Sequence, residues 1–194
     1  MIQRCTCRLR LCSALRANTF QDISYRLPLI PLKRHFKMGI EIERKFLVDP
    51  KGAWRQSDKS LMCQQGYIST QSACSVRVRL MGEKGFLTMK TKREGIQRDE
   101  FEYEIPLADA HHMLSHYCDS SIVKKIRHYV RYQGMLWEID AFEGDNKGLI
   151  LAEVELETVD QQISLPEWVT KEVSGDPRYF NAMLAKYPFN EWTR

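Results

Sequence analysis

No stretch of the 194-residue chain approaches the roughly 18 to 20 consecutive apolar residues that cross a bilayer as a helix, which excludes a helical membrane span. Zinc-type spacing is also missing. The six cysteines lie at 5, 7, 12, 63, 74 and 118, and the close pair Cys5 and Cys7 has no second pair or histidine cluster to complete a tetrahedral site. Reduced thiols in a soluble, cytoplasmic protein are expected. Acid is nearly absent from the N-terminus: residues 1–37 hold eight Lys/Arg against Asp22 alone, a net of +7, which leaves −3 for residues 38–194 out of a total of +4. The basicity therefore belongs to the extension and gives no reason to expect nucleic-acid binding by the rest. What is present, 43% apolar and 28% charged residues, is the profile of one globular domain.

Residues 1–37 have the Arg-rich, acid-poor composition of a transit peptide. Met38-Gly39-Ile40-Glu41 looks instead like a native start, and an upstream start codon placed too early is the favoured reading. The expectation is a basic extension over 1–37 outside the fold, and a domain over 38–194.

Within the domain, Glu41, Glu43 and Lys45 share one side of an extended segment, while Ile40, Ile42, Phe46 and Val48 share the other. The same alternation recurs down the chain. Ser75–Leu80 alternates Arg77 and Arg79 with aliphatics, and a turn at residues 81–85 leads to Phe86–Lys92, where Thr88, Lys90 and Lys92 share a side. Residues 98–105 alternate Glu100, Glu102 and Glu104 with Phe101, Tyr103 and Ile105, and Pro106 ends that strand. Lys125 and Arg127, then Glu138 and Asp140, then Glu153, Glu155 and Glu157 continue the series. Residues 63–71 read as a strand with a bulge or close approach at Gly66. Two helices are expected. One runs over 107–118 on the stripe Leu107, Ala110, Met113, Leu114 and Tyr117, with His111, His112 and His116 facing solvent. The other begins at Asp176-Pro177 and buries Phe180, Met183, Leu184 and Tyr187.

A solvated outer face explains any single charged strand. It explains the set poorly, because whole strands carry one sign at strict two-residue spacing. If the sheet closes with its charged side inward, the buried ions need partners or a wet cavity. A polyanion bound with divalent cations supplies both: guanidinium and ammonium groups take phosphate oxygens, and carboxylates take hard metals. Carboxylate-only sets suit Mg²⁺ or Mn²⁺.

In this order, Glu41-x-Glu43-x-Lys45, Gln65-Gly66-Tyr67, Arg77-x-Arg79, Thr88-x-Lys90, Glu100-x-Glu102, Lys125-x-Arg127, Asp140-x-Phe142 and Ala152-Glu153-Val154-Glu155-Leu156 resemble the CYTH superfamily of triphosphate tunnel metalloenzymes, in its short bacterial inorganic triphosphatase form. The likeness extends to Glu172-Val173-Ser174-Gly175-Asp176 and Asn181; Ile126 and Ser174 stand where Thr is usual. The resemblance implies an α+β fold, a closed or nearly closed antiparallel barrel of about eight strands with a polar tunnel and flanking helices. It implies metal-dependent hydrolysis of tripolyphosphate or a related triphosphate by water attack on a terminal phosphorus, with no nucleic acid, no membrane and room for a homodimer. Lys45, Arg77, Arg79, Lys90, Lys125 and Arg127 would bind phosphate, and Glu41, Glu43, Asp140, Glu153 and Glu155 would hold Mg²⁺ or Mn²⁺. Lys45, Arg77 and Glu153 would be catalytic. Glu100 and Glu102 either reach metal through water or pair with tunnel cations, and Lys92 is a further candidate. A class IV adenylate cyclase and a non-catalytic polyphosphate or nucleotide sensor remain as alternatives.

Overall fold

The computed structural model describes residues 37–57, 59–70, 74–118 and 121–192. The reading of the N-terminal extension, with Cys5, Cys7 and Cys12, lies outside these residues. Strands β1 (Lys37–Val48), β2 (Lys59–Ser69), β3 (Cys74–Met81), β4 (Lys84–Thr91) and β5 (Gln97–Ile105) precede helix α1 (Leu107–His116). Then follow β6 (Val123–Tyr132), β7 (Met135–Glu143), β8 (Ile150–Glu155), β9 (Val169–Glu172) and the single-turn α2 (Asn181–Leu184). Every pairing is antiparallel, and the order β5-β4-β3-β2-β6-β7-β8-β1 closes because β1 also pairs with β5. β1 achieves this by serving two neighbours along its length: Lys37 to Ile42 face β5, and Glu43 to Leu47 face β8. β9 adds to the far end of β1.

Closure turns the two-residue alternation into an inside and an outside. The inward parity of β1 carries Glu41, Glu43 and Lys45, all buried, while Phe46 and Val48 point outward into an apolar cluster with Trp54, Trp137, Ile139, Val154 and Trp168. Trp137 meets Phe46 at 5.6 Å and Trp168 edge-on at 5.4 Å between ring centroids. Barrels usually fill their interior with apolar side chains; here the apolar packing wraps the outside and the ions go in.

The connections follow local sequence. Gln133 and Gly134 join β6 to β7 with φ of 47° and 80°, the two positive values of a type I′ hairpin turn whose twist matches the flanking strands. α1 packs Ala110, Met113 and Leu114 over Val78, Leu80 and Leu87. Its approach requires Gly85, where a Cβ would stand 2.6 Å from that of Ala110. Gly66 has the close approach expected of it: a Cβ there would lie 2.6 Å from Cys118 Sγ, and the register shifts just beyond, between Tyr67 and Ser69.

Two expectations change. β2 begins at Lys59 rather than 63, because Lys59 to Leu61 have partners in β6 from Tyr129 to Arg127. The C-terminal helix is broken: Asp176 caps a 3-10 turn over Pro177–Tyr179, Phe180 is extended, and α2 restarts at Asn181. Leu184 is buried as expected, whereas Tyr187 is 61% exposed. Leu184 and Ala185 pack with Val123, Phe142 and Leu151, which sit on the inward parity of their strands, so this segment covers an apolar end of the barrel.

Candidate functional site

Inside the barrel is a cavity of about 510 Å³ lined by charged side chains from β1, β3, β4, β5, β6, β7 and β8 together with Phe180, Asn181 and Ala182. The hairpins set its chemistry. Register places Arg77 opposite Thr88 and Thr88 opposite Glu102, so a cation, a hydroxyl and a carboxylate stand side by side on three strands. Arg77 Nη2 donates to Thr88 Oγ1 and to Glu102 Oε2, each at 3.0 Å, and Thr88 Oγ1 donates to Glu102 Oε2 at 2.8 Å. Arg79 Nη2 reaches the two Glu102 oxygens at 2.9 and 2.8 Å. Lys90 Nζ lies 3.0 Å from Glu41 Oε1 and 3.2 Å from Glu100 Oε1.

Across the lumen, Arg127 grips Asp140 with two parallel bonds, Nε to Oδ1 and Nη2 to Oδ2, both 2.7 Å, and also pairs with Glu138. This bidentate geometry is the strong form of the contact. Nη2 also reaches Glu153 Oε2 at 2.8 Å, while Glu153 Oε1 pairs with Lys45. Glu153 thus bridges β1 and β6. Lys125 pairs with Asp140 and donates to Asn181 Oδ1 at 3.2 Å.

The ion pairs fix the charge states. Burial alone would raise the Glu153 carboxyl, but Lys45, Arg127 and Lys125 outweigh it and hold the group well below the usual carboxylate range. Burial likewise favours protonating Asp140, and Arg127 and Lys125 reverse this. Lys45 is desolvated yet kept above its ordinary value by Glu153 and Glu43. Lys90 moves the other way, pulled down by burial and by Arg77 against the attraction of Glu41. Glu138 is raised by burial, with Glu153 and Asp140 adding to that against Arg127.

Most expected site residues converge. Glu41, Glu43, Lys45, Arg77, Arg79, Lys90, Glu100, Glu102, Arg127, Glu153 and Glu155 line the cavity, and Asp140 and Lys125 stand directly behind Arg127 and Asn181. Glu155 and Lys92 line it from exposed positions. Glu104 and Glu157, on the same parities, are exposed; Glu104 pairs with Lys84 at the surface. Two guanidinium groups were missed. Arg98 Nε donates to Glu41 Oε2 at 2.6 Å, and its position two residues before Glu100 already gave the parity. Arg93 donates to Glu43 Oε1 at 3.1 Å from an irregular connection, where alternation carries no signal.

Several polar atoms here have no partner. The Nε groups of Arg77, Arg79 and Arg93 and Oε1 of Gln65 are buried without a hydrogen bond among the described residues. An unmet buried donor costs about 1–3 kcal/mol. The three guanidinium groups also line the cavity, where with Lys45, Lys90, Arg98 and Arg127 they concentrate positive charge suited to an anion. The donor set also suits a hard cation: Glu41, Glu43, Glu153 and Glu155 offer oxygen alone. Among the described residues no three Asp, Glu, His or Cys side chains yet stand together as metal ligands, since lysines and arginines hold the carboxylates.

A closed antiparallel barrel with cations and carboxylates turned inward defines a class of protein that works on a charged ligand within its own lumen. The chain belongs to the CYTH domain family, whose match covers residues 39–180. It is similar to the inorganic triphosphatase of Acetivibrio thermocellus, 41% identical over 155 residues, 80% of this chain and 99% of that protein. It is also 35% identical to the inorganic triphosphatase of Nitrosomonas europaea over 151 residues, 75% of this chain and 96% of the relative. The crystal structure of the inorganic triphosphatase NE1496 superposes with a TM-score of 0.55 at 32% identity, covering 75% of this chain and 93% of that one.

Proposed function

We propose that this chain is a divalent-metal-dependent triphosphatase that hydrolyses inorganic tripolyphosphate, with Mg²⁺ or Mn²⁺ as the ion, in the cytoplasm. The observation that carries this reading is one cavity inside the barrel lined at once by the cations Lys45, Arg77, Arg79, Lys90 and Arg127 and by the oxygen-only carboxylates Glu41, Glu43, Glu153 and Glu155. The named activity of relatives that align over nearly their whole length supports it.

Arg77, Arg79, Lys90 and Arg127 hold the phosphate chain, Lys45 meets one end, and Lys125 acts from behind Arg127. Glu41, Glu43, Glu153 and Glu155 are the ligands for the ion, which when bound neutralises phosphate charge and orients the substrate. Asp140 belongs with the cations: unlike Glu41 and Glu153 it is fully buried outside the residues that line the cavity, and its pairs with Lys125 and Arg127 aim them. Glu100 and Glu102 hold Lys90 and the Arg77–Arg79 pair in place. Water adds to a terminal phosphorus, the anhydride oxygen leaves with pyrophosphate, and orthophosphate is the second product. Such transfer depends on placement and charge more than on covalent chemistry by the protein.

Phosphate release from tripolyphosphate, ATP, thiamine triphosphate and long-chain polyphosphate, with and without Mg²⁺ or Mn²⁺, tests the reading. Metal-dependent release, fastest from tripolyphosphate, is expected. Cyclic AMP and pyrophosphate from ATP would make the protein a cyclase, and tight binding without turnover would make it a sensor.

A further inference from the structure

The phosphate-facing cations assigned so far stand on strands; Arg93 does not. It lies between β4 and β5, yet its side chain is only 9% exposed and lines the same cavity. Nη2 donates to Glu43 Oε1 at 3.1 Å and Nη1 to the Glu43 carbonyl oxygen at 3.4 Å. The Lys45 ammonium is 3.5 Å from that same Glu43 Oε1, so Arg93 and Lys45 flank one carboxylate. The planar guanidinium also sits on an aromatic ring, its Cζ 5.2 Å from the centre of Phe180. Nε is buried with no partner among the described residues. Phe180 caps α2, and the next residue, Asn181, accepts from Lys125. A cation–aromatic pair therefore joins the β4–β5 connection to the C-terminal segment across the wall of the cavity.

We propose that Arg93, seated on Phe180, is a specificity residue: it reads a terminal phosphate whose oxygens are all free, and so favours inorganic triphosphates over those esterified at one end. This rests on the triphosphatase reading above. An unsubstituted tripolyphosphate ends in free phosphate oxygens on both sides, and a guanidinium fork takes two of them at once. A nucleoside triphosphate has a free terminal phosphate at one end only; with its esterified end at Arg93 it forfeits the fork contact, and the sugar beyond meets the Arg93–Phe180 pair. A site built to bond a substrate group rejects analogues that lack it far more strongly than a merely apolar pocket does.

The test compares kcat/KM for tripolyphosphate and for ATP in the wild type, Arg93→Ala, Arg93→Lys and Phe180→Ala, with thermal melts to establish folding. Arg93→Ala is expected to lower the tripolyphosphate value by about ten- to a hundredfold and the ATP value by less than about threefold, the difference being one charged hydrogen-bonding group. Arg93→Lys keeps the charge without the fork and should fall between. Phe180→Ala should lower the inhibition constant of ATP against tripolyphosphate. An equal loss on both substrates would mean that Arg93 only steadies Glu43, and would overturn the proposal. If Arg93→Ala does not fold, Phe180→Ala decides: an unchanged ratio of the two substrates refutes. If the wild type turns over neither substrate, the triphosphatase reading fails, and equilibrium binding still judges Arg93. Weakening confined to tripolyphosphate supports it, and equal weakening of tripolyphosphate and ATP refutes it.

Discussion

Arg77→Ala separates the chemistry of the cavity from its contribution to folding. The guanidinium makes one bond to Thr88 and one to Glu102, and its Nε makes none. Removing it does not strand Glu102, because Arg79 still holds both carboxylate oxygens and Thr88 still donates. Burial pushes the Glu102 carboxyl up, and Arg79, ahead of Arg77, brings it below its usual value. The stability change should therefore be about 1–2 kcal/mol, since two lost bonds and a 3.8 Å ion pair to Glu100, which keeps Lys90, are offset in part by relief of an unmet buried donor. Catalysis should suffer far more, by about 10² to 10³ in rate, the size of one lost electrostatic contact in a phosphoryl-transfer transition state. Arg127→Ala is the control. It leaves the fully buried Asp140 with Lys125 alone and takes a partner from Glu153 and Glu138. Breaking a buried pair in that way costs about 3–5 kcal/mol. At about 2–4 °C per kcal/mol for a domain of this size, Tm should drop by roughly 6 to 20 °C. Thermal melts and phosphate release on the same preparations measure both quantities. Equal loss of Tm in the two variants, or an unimpaired Arg77→Ala, would refute the reasoning.

Other outcomes follow from the same contacts. Gly66→Ala drives a Cβ against Cys118 Sγ and should cost about 1–3 kcal/mol in a urea titration, with Cys118→Gly in the same chain restoring part of it. Against burial, Arg127 and Lys125 hold Asp140 below the usual carboxylate range, and Lys45 and Arg127 hold Glu153 well below it, so their stabilisation is complete at neutral pH and is lost as pH falls through those depressed values. Denaturation midpoints should accordingly decline in acid, and a domain that grows steadily more stable down to pH 2 contradicts the pairing. A chelator should abolish phosphate release and added Mg²⁺ or Mn²⁺ should restore it; turnover indifferent to chelation removes the carboxylates from the proposed role.

Strict alternation made the barrel and most of its lining legible, because in a strand a residue's parity decides its side once closure is assumed. Parity has limits set by strand ends: Glu104, Glu157 and Lys92 obey the pattern but stand at or beyond the rim, where the sheet no longer encloses them. It is silent in connections, so Arg93 could not be placed. Nor does it say whom a buried ion pairs with. Asp140 shares the chemistry of a metal ligand, yet it is fully buried beside Lys125 and Arg127, outside the residues that line the cavity. The C-terminal helix failed for a different reason: an extended Phe180 stands between the 3-10 turn and α2, its ring against the Arg93 guanidinium, and helix propensity reports no such tertiary contact.

The most direct measurement is tripolyphosphate hydrolysis in isotopically labelled water with Mg²⁺ or Mn²⁺ present, the products separated and weighed by mass spectrometry. Water attack on a terminal phosphorus within the lumen places the label in orthophosphate and leaves pyrophosphate unlabelled. Label in pyrophosphate, or no cleavage at all by a folded protein, contradicts the account.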